Sequence, residues 1–270
     1  MKSNVLNRFV MGALVAAGIC AVAGNSMAAE KRCVVVWSEG TAPKNVYPKD
    51  INSAVAEGLT DLKDWEVVVA NLSDPDQGLP DSLLNRADVL IWWGHKKHGD
   101  VKDALADKIV KRVTDGDMGF IGLHSAHFSK PNIKLMSVEP TKQELLDVVQ
   151  PKGRVAAWGA YKGDSKSLKV TTKDPSHPIA KGVPAEFTID QSERYNDPYA
   201  VPQPSAVIFS GVYTLNDGST SPVTPGMCWN VGKGRMFYFQ AGHETNPTFF
   251  DANVRKIISN AVLWTAPDKK

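Results

Sequence analysis

MGFIGLHSAHFS, residues 118–129, is the stretch whose reading decides the fold. Phe120, Ile121 and Leu123 make an apolar, β-prone run that turns polar at His124 and Ser125, with His127 three residues beyond His124. A strand that delivers polar side chains into a sharp turn is how an open α/β sheet presents chemistry at the carboxyl ends of its strands. The competing reading is a buried strand followed by a surface helix whose histidines are incidental. The flanking segments decide between the two.

Upstream, RCVVVW at residues 32–37 is a nearly continuous apolar run of the kind a parallel strand covered on both faces requires, and Glu39 follows it. A loop with Pro43 and Pro48 leads to Asp50, a predicted N-cap for a helix through Val55 and Leu59. Residues 65–70 read as a second strand, 74–80 as a turn and 81–86 as a short helix. ADVLIWW at 87–93 is a third strand ending in Gly94 and His95, and Val101, Leu105, Ile109 and Val113 set the apolar stripe of a helix over 101–114. This alternation predicts an α/β fold with a mostly parallel, doubly wound sheet and helices on both faces. Glu39, His95, His98, His124 and His127 each fall just after a predicted strand, which places them on one rim.

The second half changes character. Residues 134–149 read as mostly helical and 151–163 as irregular, with Trp158 and Tyr161. A strand over 167–172 precedes the turn DPSHP at 174–178, and runs at 185–189, 206–212, 226–231 and 235–240 suggest extra antiparallel strands in the C-terminal half. Gly242, His243 and Glu244 lead into a closing helix over 248–264. With no internal repeat or linker, residues 29–270 read as one domain.

Lys2 and Arg8, the apolar run 9–23 and the small-x-small pattern Ser26-Met27-Ala28 predict a signal peptide over 1–28 and a periplasmic or secreted product. Removing Lys2 and Arg8 takes the 31 basic residues to 29, equal to the 29 acidic ones. That balance offers no electrostatic reason to expect nucleic acid or an anionic membrane as partner and suits a neutral substrate. The remaining cysteines, Cys33 and Cys228, are too few for a disulfide framework and are as consistent with two buried thiols as with one pair.

Histidine pairs spaced three apart, His95 with His98 and His124 with His127, can face one centre and with Glu39 or Glu244 can ligate a divalent metal such as zinc. A histidine beside a carboxylate is equally a metal-free acid or base near neutral pH. His98 is the member most readily explained as incidental, and His177 reads as a loop residue. Ser125 lacks the G-x-S-x-G elbow, and Gly232 with Gly234 makes no dinucleotide fingerprint, so neither a serine nucleophile nor a nucleotide cofactor is expected. Tryptophans such as Trp93 can stack on sugar rings or fill the core, and Glu193 with Tyr195 can reach the site or merely cover it.

DVLIWWGHKKHGDV, GFIGLHSAHFSKPNIKLM, HPIAKG and GKGRMFYFQAGHETNPTF together resemble the ThuA-like (trehalose utilisation) family, in the right order and across the chain after the signal segment. The resemblance implies the class I glutamine amidotransferase-like, flavodoxin-like fold. Where that wider group carries a cysteine nucleophile this chain has His124, and where it carries a histidine and glutamate this chain has His243 and Glu244, so glutaminase chemistry is not inherited. It further implies sugar metabolism, with 3-keto glycosides as substrates and isomerase, lyase or hydrolase chemistry. The resulting expectation is a metal on His95, His124 and His243, with Glu39 as further ligand or base and His127 as acid/base. Trp93, Glu193, Tyr195 and Glu244 are then expected against a small-molecule carbohydrate, in a chain that can self-associate. A non-catalytic sugar binder on a decayed amidotransferase scaffold and a metal-binding protein without turnover are the alternatives.

Overall fold

Chain segments that bury both faces must bring helices to both faces, and the apolar runs do so. The computed structural model describes Met1 and residues 31–149, 161–195, 197 and 199–268. The predicted signal peptide and Trp158 lie outside those residues. The strands are Arg32–Ser38 (β1), Trp65–Asn71 (β2), Val89–Trp93 (β3), Gly119–Leu123 (β4), Tyr161–Thr172 (β5), Glu186–Tyr195 (β6), Ala206–Thr214 (β7), Thr220–Val231 (β8) and Gly234–Phe239 (β9). They form one sheet in the order β2-β1-β3-β4-β9-β8-β7-β5-β6. From β2 to β9 the pairing is parallel, and from β9 to β6 it is antiparallel.

The helices are Asp50–Glu57 (α1), Asp81–Leu84 (α2), Asp103–Thr114 (α3), Lys130–Leu135 (α4), Gln143–Val149 (α5) and Ala252–Thr265 (α6). Alternate strand residues feed two cores. Val34, Val36, Ile91 and Ile121 meet Ile51, Val55, Ile257 and Ile258 of α1 and α6. Val35, Trp37, Leu90 and Phe120 meet Leu105, Ile109, Val113 and Leu135 of α3 and α4. Cys33 and Cys228 are separate buried thiols.

Three expectations change. Asp50 is not an N-cap: its φ is +71°, and its carboxylate instead accepts from Ser38 Oγ and the Ala42 N–H. The predicted helix over 134–149 is broken, because α4 ends at Leu135 and α5 begins only at Gln143. The segment before the predicted strand at 167 is already paired, since β5 starts at Tyr161.

Sheet order poses a geometric problem that the site depends on. Five strand steps separate β4 from β6, about 24 Å in a flat sheet. Residues of the two strands nonetheless touch, so the antiparallel half must curl back over the carboxyl end of β4. Register shifts in β5–β6 and in β7–β8 supply local bending. Gln240 then stitches the curl closed, its side-chain N–H donating to the Glu193 carbonyl at 3.1 Å while its side-chain oxygen accepts from the Tyr213 hydroxyl.

The parallel half depends on a close approach at Gly119, where an added Cβ would lie 2.4 Å from the Thr265 carbonyl oxygen at the end of α6. The carbonyl belongs to packed backbone and cannot swing aside, so Gly119→Ala is expected to cost about 1–3 kcal/mol. Urea denaturation measures this, and an unchanged midpoint would contradict the packing described.

Candidate functional site

At the end of β4 the chain turns through His124, whose φ of +55° lies in the left-handed region that costs an L-residue about 1–2 kcal/mol. Residues at and just beyond β9, the neighbour of β4, hold it there. Its carbonyl accepts from the Tyr238 hydroxyl at 2.8 Å, and its ring Nδ1 bonds the Gln240 carbonyl at 3.1 Å. A carbonyl can only accept, so Nδ1 carries the proton and Nε2 of the neutral ring keeps its lone pair. That Nε2 is buried, 2.9 Å from Glu193 Oε2 and without the alignment of a hydrogen bond.

His95, just after β3, repeats the arrangement. Its Nδ1 lies 2.7 Å from Glu244 Oε2, and its Nε2 is 3.9 Å from the same Glu193 oxygen. Burial works against protonation of His95, but the bond and charge of Glu244, with Glu193 behind it, prevail and raise its pKa. Burial likewise opposes ionisation of Glu244, and the bonds from His95 and Lys96 overcome it, holding the carboxyl well below the usual range. Lys96 Nζ approaches the other Glu244 oxygen at 2.6 Å.

His243 completes the group, its Nε2 3.9 Å from Glu193 Oε1. Its Nδ1 is 2.7 Å from Thr245 Oγ1 and also accepts from the Thr245 N–H at 3.2 Å. In that state the neutral ring carries its proton on Nε2; ligation there needs the other tautomer, with the Thr245 hydroxyl accepting. Burial lowers the His243 pKa, and His124 and His95 reinforce this against the attraction of Glu244 and Glu193.

Glu193 is 7% exposed and is oriented by the Tyr195 hydroxyl, which donates to Oε2 at 2.9 Å and meets Ser125 Oγ at 2.8 Å. Burial pushes the Glu193 carboxyl up, but the approach of His124, then the bond from Tyr195 and the charge of His243, bring it below the ordinary value. Burial raises the Tyr195 phenol, so it stays a neutral donor. One ligand atom from each of His95, His124, Glu193 and His243 lies within 4.8 Å of the others. Three imidazoles and a carboxylate are a donor set that suits a divalent metal.

The remaining expected residues sit elsewhere. Glu39 is not in this group: Oε2 accepts the Lys96 N–H at 2.7 Å and Oε1 lies 3.6 Å from His98 Nδ1, so it pins the loop that carries His95. Gly94 makes room for that pair, since a Cβ there would lie 2.9 Å from Glu39 Oε1. His127 is wholly buried under the turn, with Nδ1 2.9 Å from the His124 carbonyl and 2.8 Å from the Tyr238 hydroxyl. Burial drives its pKa well below the ordinary value, which fits a structural prop rather than an acid/base exposed to substrate. Trp93 is 1% exposed and its indole N–H donates to the Gly242 carbonyl at 3.0 Å, so it braces the 242–244 loop and presents no face to a sugar. His177 accepts from the Ile179 N–H at 3.2 Å and packs on Trp264.

Sequence reading overlooked Gln240, Tyr238, Lys96 and Thr245. Only Gln240 carried a signal, as a polar residue closing an apolar strand immediately before the Ala-Gly-His-Glu run.

The model of the family described as ThuA, trehalose utilisation, matches residues 33–265. Among solved structures, a putative ThuA-like protein from Bacteroides uniformis is similar at 17% identity and TM-score 0.56, covering 90% of this chain and 94% of that one. A second, from Parabacteroides merdae, is similar at 14% identity and TM-score 0.54, covering 89% and 92%. A glutamine amidotransferase from Thermotoga maritima shares the fold at 12% identity and TM-score 0.50, covering 86% and 96%. No curated protein matches.

In chelator-treated protein, stability is expected to fall as pH drops from about 7 to 5. Burial holds His98, His127, His177 and His243 below the ordinary histidine value. Below about pH 6.5 the unfolded chain therefore binds protons that the folded chain refuses, and acid favours unfolding. His95, with its raised pKa, acts oppositely: its contribution is complete at low pH and is lost as pH rises. Four groups outweigh one, and denaturant titrations at three pH values would contradict this if the midpoint stayed level or rose on acidification.

Proposed function

The chain belongs to the ThuA family, whose model spans residues 33–265, and from that premise we propose that it is an exported enzyme acting on a carbohydrate, a 3-keto glycoside or disaccharide-derived sugar. The observation that carries the proposal is the convergence on the Glu193 carboxylate of three imidazoles whose Nδ1 atoms are all engaged elsewhere. A lone pair on His124 Nε2 held 2.9 Å from a carboxylate oxygen is repulsive unless something positive lies between them. A divalent cation fits, with zinc the ion best suited to nitrogen and carboxylate donors, and His95, His124, His243 and Glu193 would hold it. Such an ion supplies Lewis-acid polarisation of a keto oxygen.

The chain's own groups would do the rest. Tyr195 holds Glu193 in one orientation, and Glu244 fixes the tautomer of His95 in the manner of a carboxylate–histidine–metal relay. A keto group acidifies its neighbouring C–H bonds, so a base must take that proton. The candidate is Glu39, which accepts the Lys96 N–H beside His95 and whose Oε1 has no hydrogen-bond partner. Enolisation, epimerisation or elimination of a glycosidic leaving group are the reactions this serves. The second reading places a proton where the cation would be, leaving His124 and Glu193 as a metal-free acid–base pair, and the same 2.9 Å contact favours it.

Metal analysis of purified protein separates the two. We expect about one zinc per chain, its loss in His124→Ala, and a 10–100-fold weaker affinity in Glu244→Gln. Turnover of 3-ketotrehalose should fall with the metal. An active preparation without metal, or a His124→Ala protein that retains its full metal content, would overturn the metal reading.

A further inference from the structure

Beside the cluster lies a cleft of about 620 Å³ whose wall includes Glu193 and His243 themselves. Its lining also includes residues that the proposed chemistry does not use, among them Tyr161, Asp164 and Lys166 of β5, and Asn216 and Asn246 from loops. Its position follows from register. Asp164 pairs directly with Glu193 across β5–β6, and Tyr161 pairs with Tyr195, whose hydroxyl orients Glu193. Between these two pairs the register shifts, a bulge of the kind that re-aims side chains.

Gln191 of β6, also in the lining, has a φ of +54°. A non-glycine residue kept in the left-handed region costs about 1–3 kcal/mol and persists where the surroundings impose it, commonly at ligand sites. Bulge and left-handed residue thus both lie on the β5–β6 side of the cleft.

The chemistry of the lining selects a ligand. Two carboxylates, an ammonium and three side-chain amides around one space offer both acceptors and donors to hydroxyl groups. Tyr161 is 54% exposed, with its ring 6.4 Å from that of Tyr195, and it offers the aromatic face on which the C–H side of a saturated ring packs. We propose that this cleft is the ring subsite of the enzyme and binds a six-membered ring bearing adjacent hydroxyls, with Asp164 accepting from the hydroxyl pair and Tyr161 packing on the ring. The ring's reacting carbon then lies toward Glu193 and His243. This assignment rests on the carbohydrate reading above and does not require the metal.

The test uses the full chain, with zinc content measured alongside calorimetric titration of methyl α-D-glucopyranoside and its 3-keto derivative. Tyr161→Ala and Asp164→Asn alter exposed side chains, so folding and zinc content should match the wild type. Each is expected to weaken binding about tenfold, the loss that follows removal of one charged hydrogen bond or one stacking face. Wild-type protein that binds neither glycoside, or variants that bind both as tightly as the wild type, would overturn the subsite. Glycoside binding that depends on Tyr161 and Asp164 in a protein free of zinc would uphold the subsite while removing the metal from the proposed function.

Discussion

Everything in this molecule's candidate chemistry depends on one contact, the approach of Glu193 on β6 to His124 at the end of β4. In hydrogen-bonding order these strands are five steps apart. A buried carboxylate, one buried imidazole and two part-buried ones are costly to desolvate, and an unpaired member would cost more than the network gains. The chain offsets this by giving each Nδ1 a fixed partner and Glu193 the Tyr195 hydroxyl. The curl that brings the two halves together is itself held by polar bonds, through Gln240 and Tyr213, on the main chain of Glu193. Site geometry and sheet curvature are one constraint seen from two ends.

This explains what could be read beforehand. The parallel half was legible because strands buried on both faces must be apolar throughout, and Val34–Trp37, Leu90–Trp93 and Phe120–Leu123 are. Their carboxyl ends therefore placed Glu39, His95 and His124 on one rim without any knowledge of packing. The antiparallel half was read in outline only. Its strands run through Pro222 and Pro225 and alternate irregularly, which hid the full length of β5 and β8. That Glu193, and not Glu39, is the carboxylate among the histidines depends on how far the sheet bends, and no spacing in the sequence encodes that.

Histidines illustrate the same limit. His127 and His98 follow strands as regularly as His124 and His95, yet the three-residue offset turns His127 beneath the turn and His98 toward Glu39. Rim placement is a property of the strand; the direction of a side chain is a property of the turn after it. His124 shows what that turn is built to do. Its left-handed backbone presents an imidazole at the carboxyl end of β4, where Gln240 and Tyr238 hold it. The shared architecture with the Thermotoga maritima amidotransferase is therefore a statement about the scaffold, and the chemistry has to be argued from the cluster.

The most direct measurement of the central claim is X-ray diffraction from crystals of the purified chain, with anomalous data collected on both sides of the zinc edge. A single peak between His95 Nε2, His124 Nε2, His243 Nε2 and a Glu193 oxygen is the predicted result. No peak there in a preparation that turns over its sugar, or a peak on other residues, would contradict it.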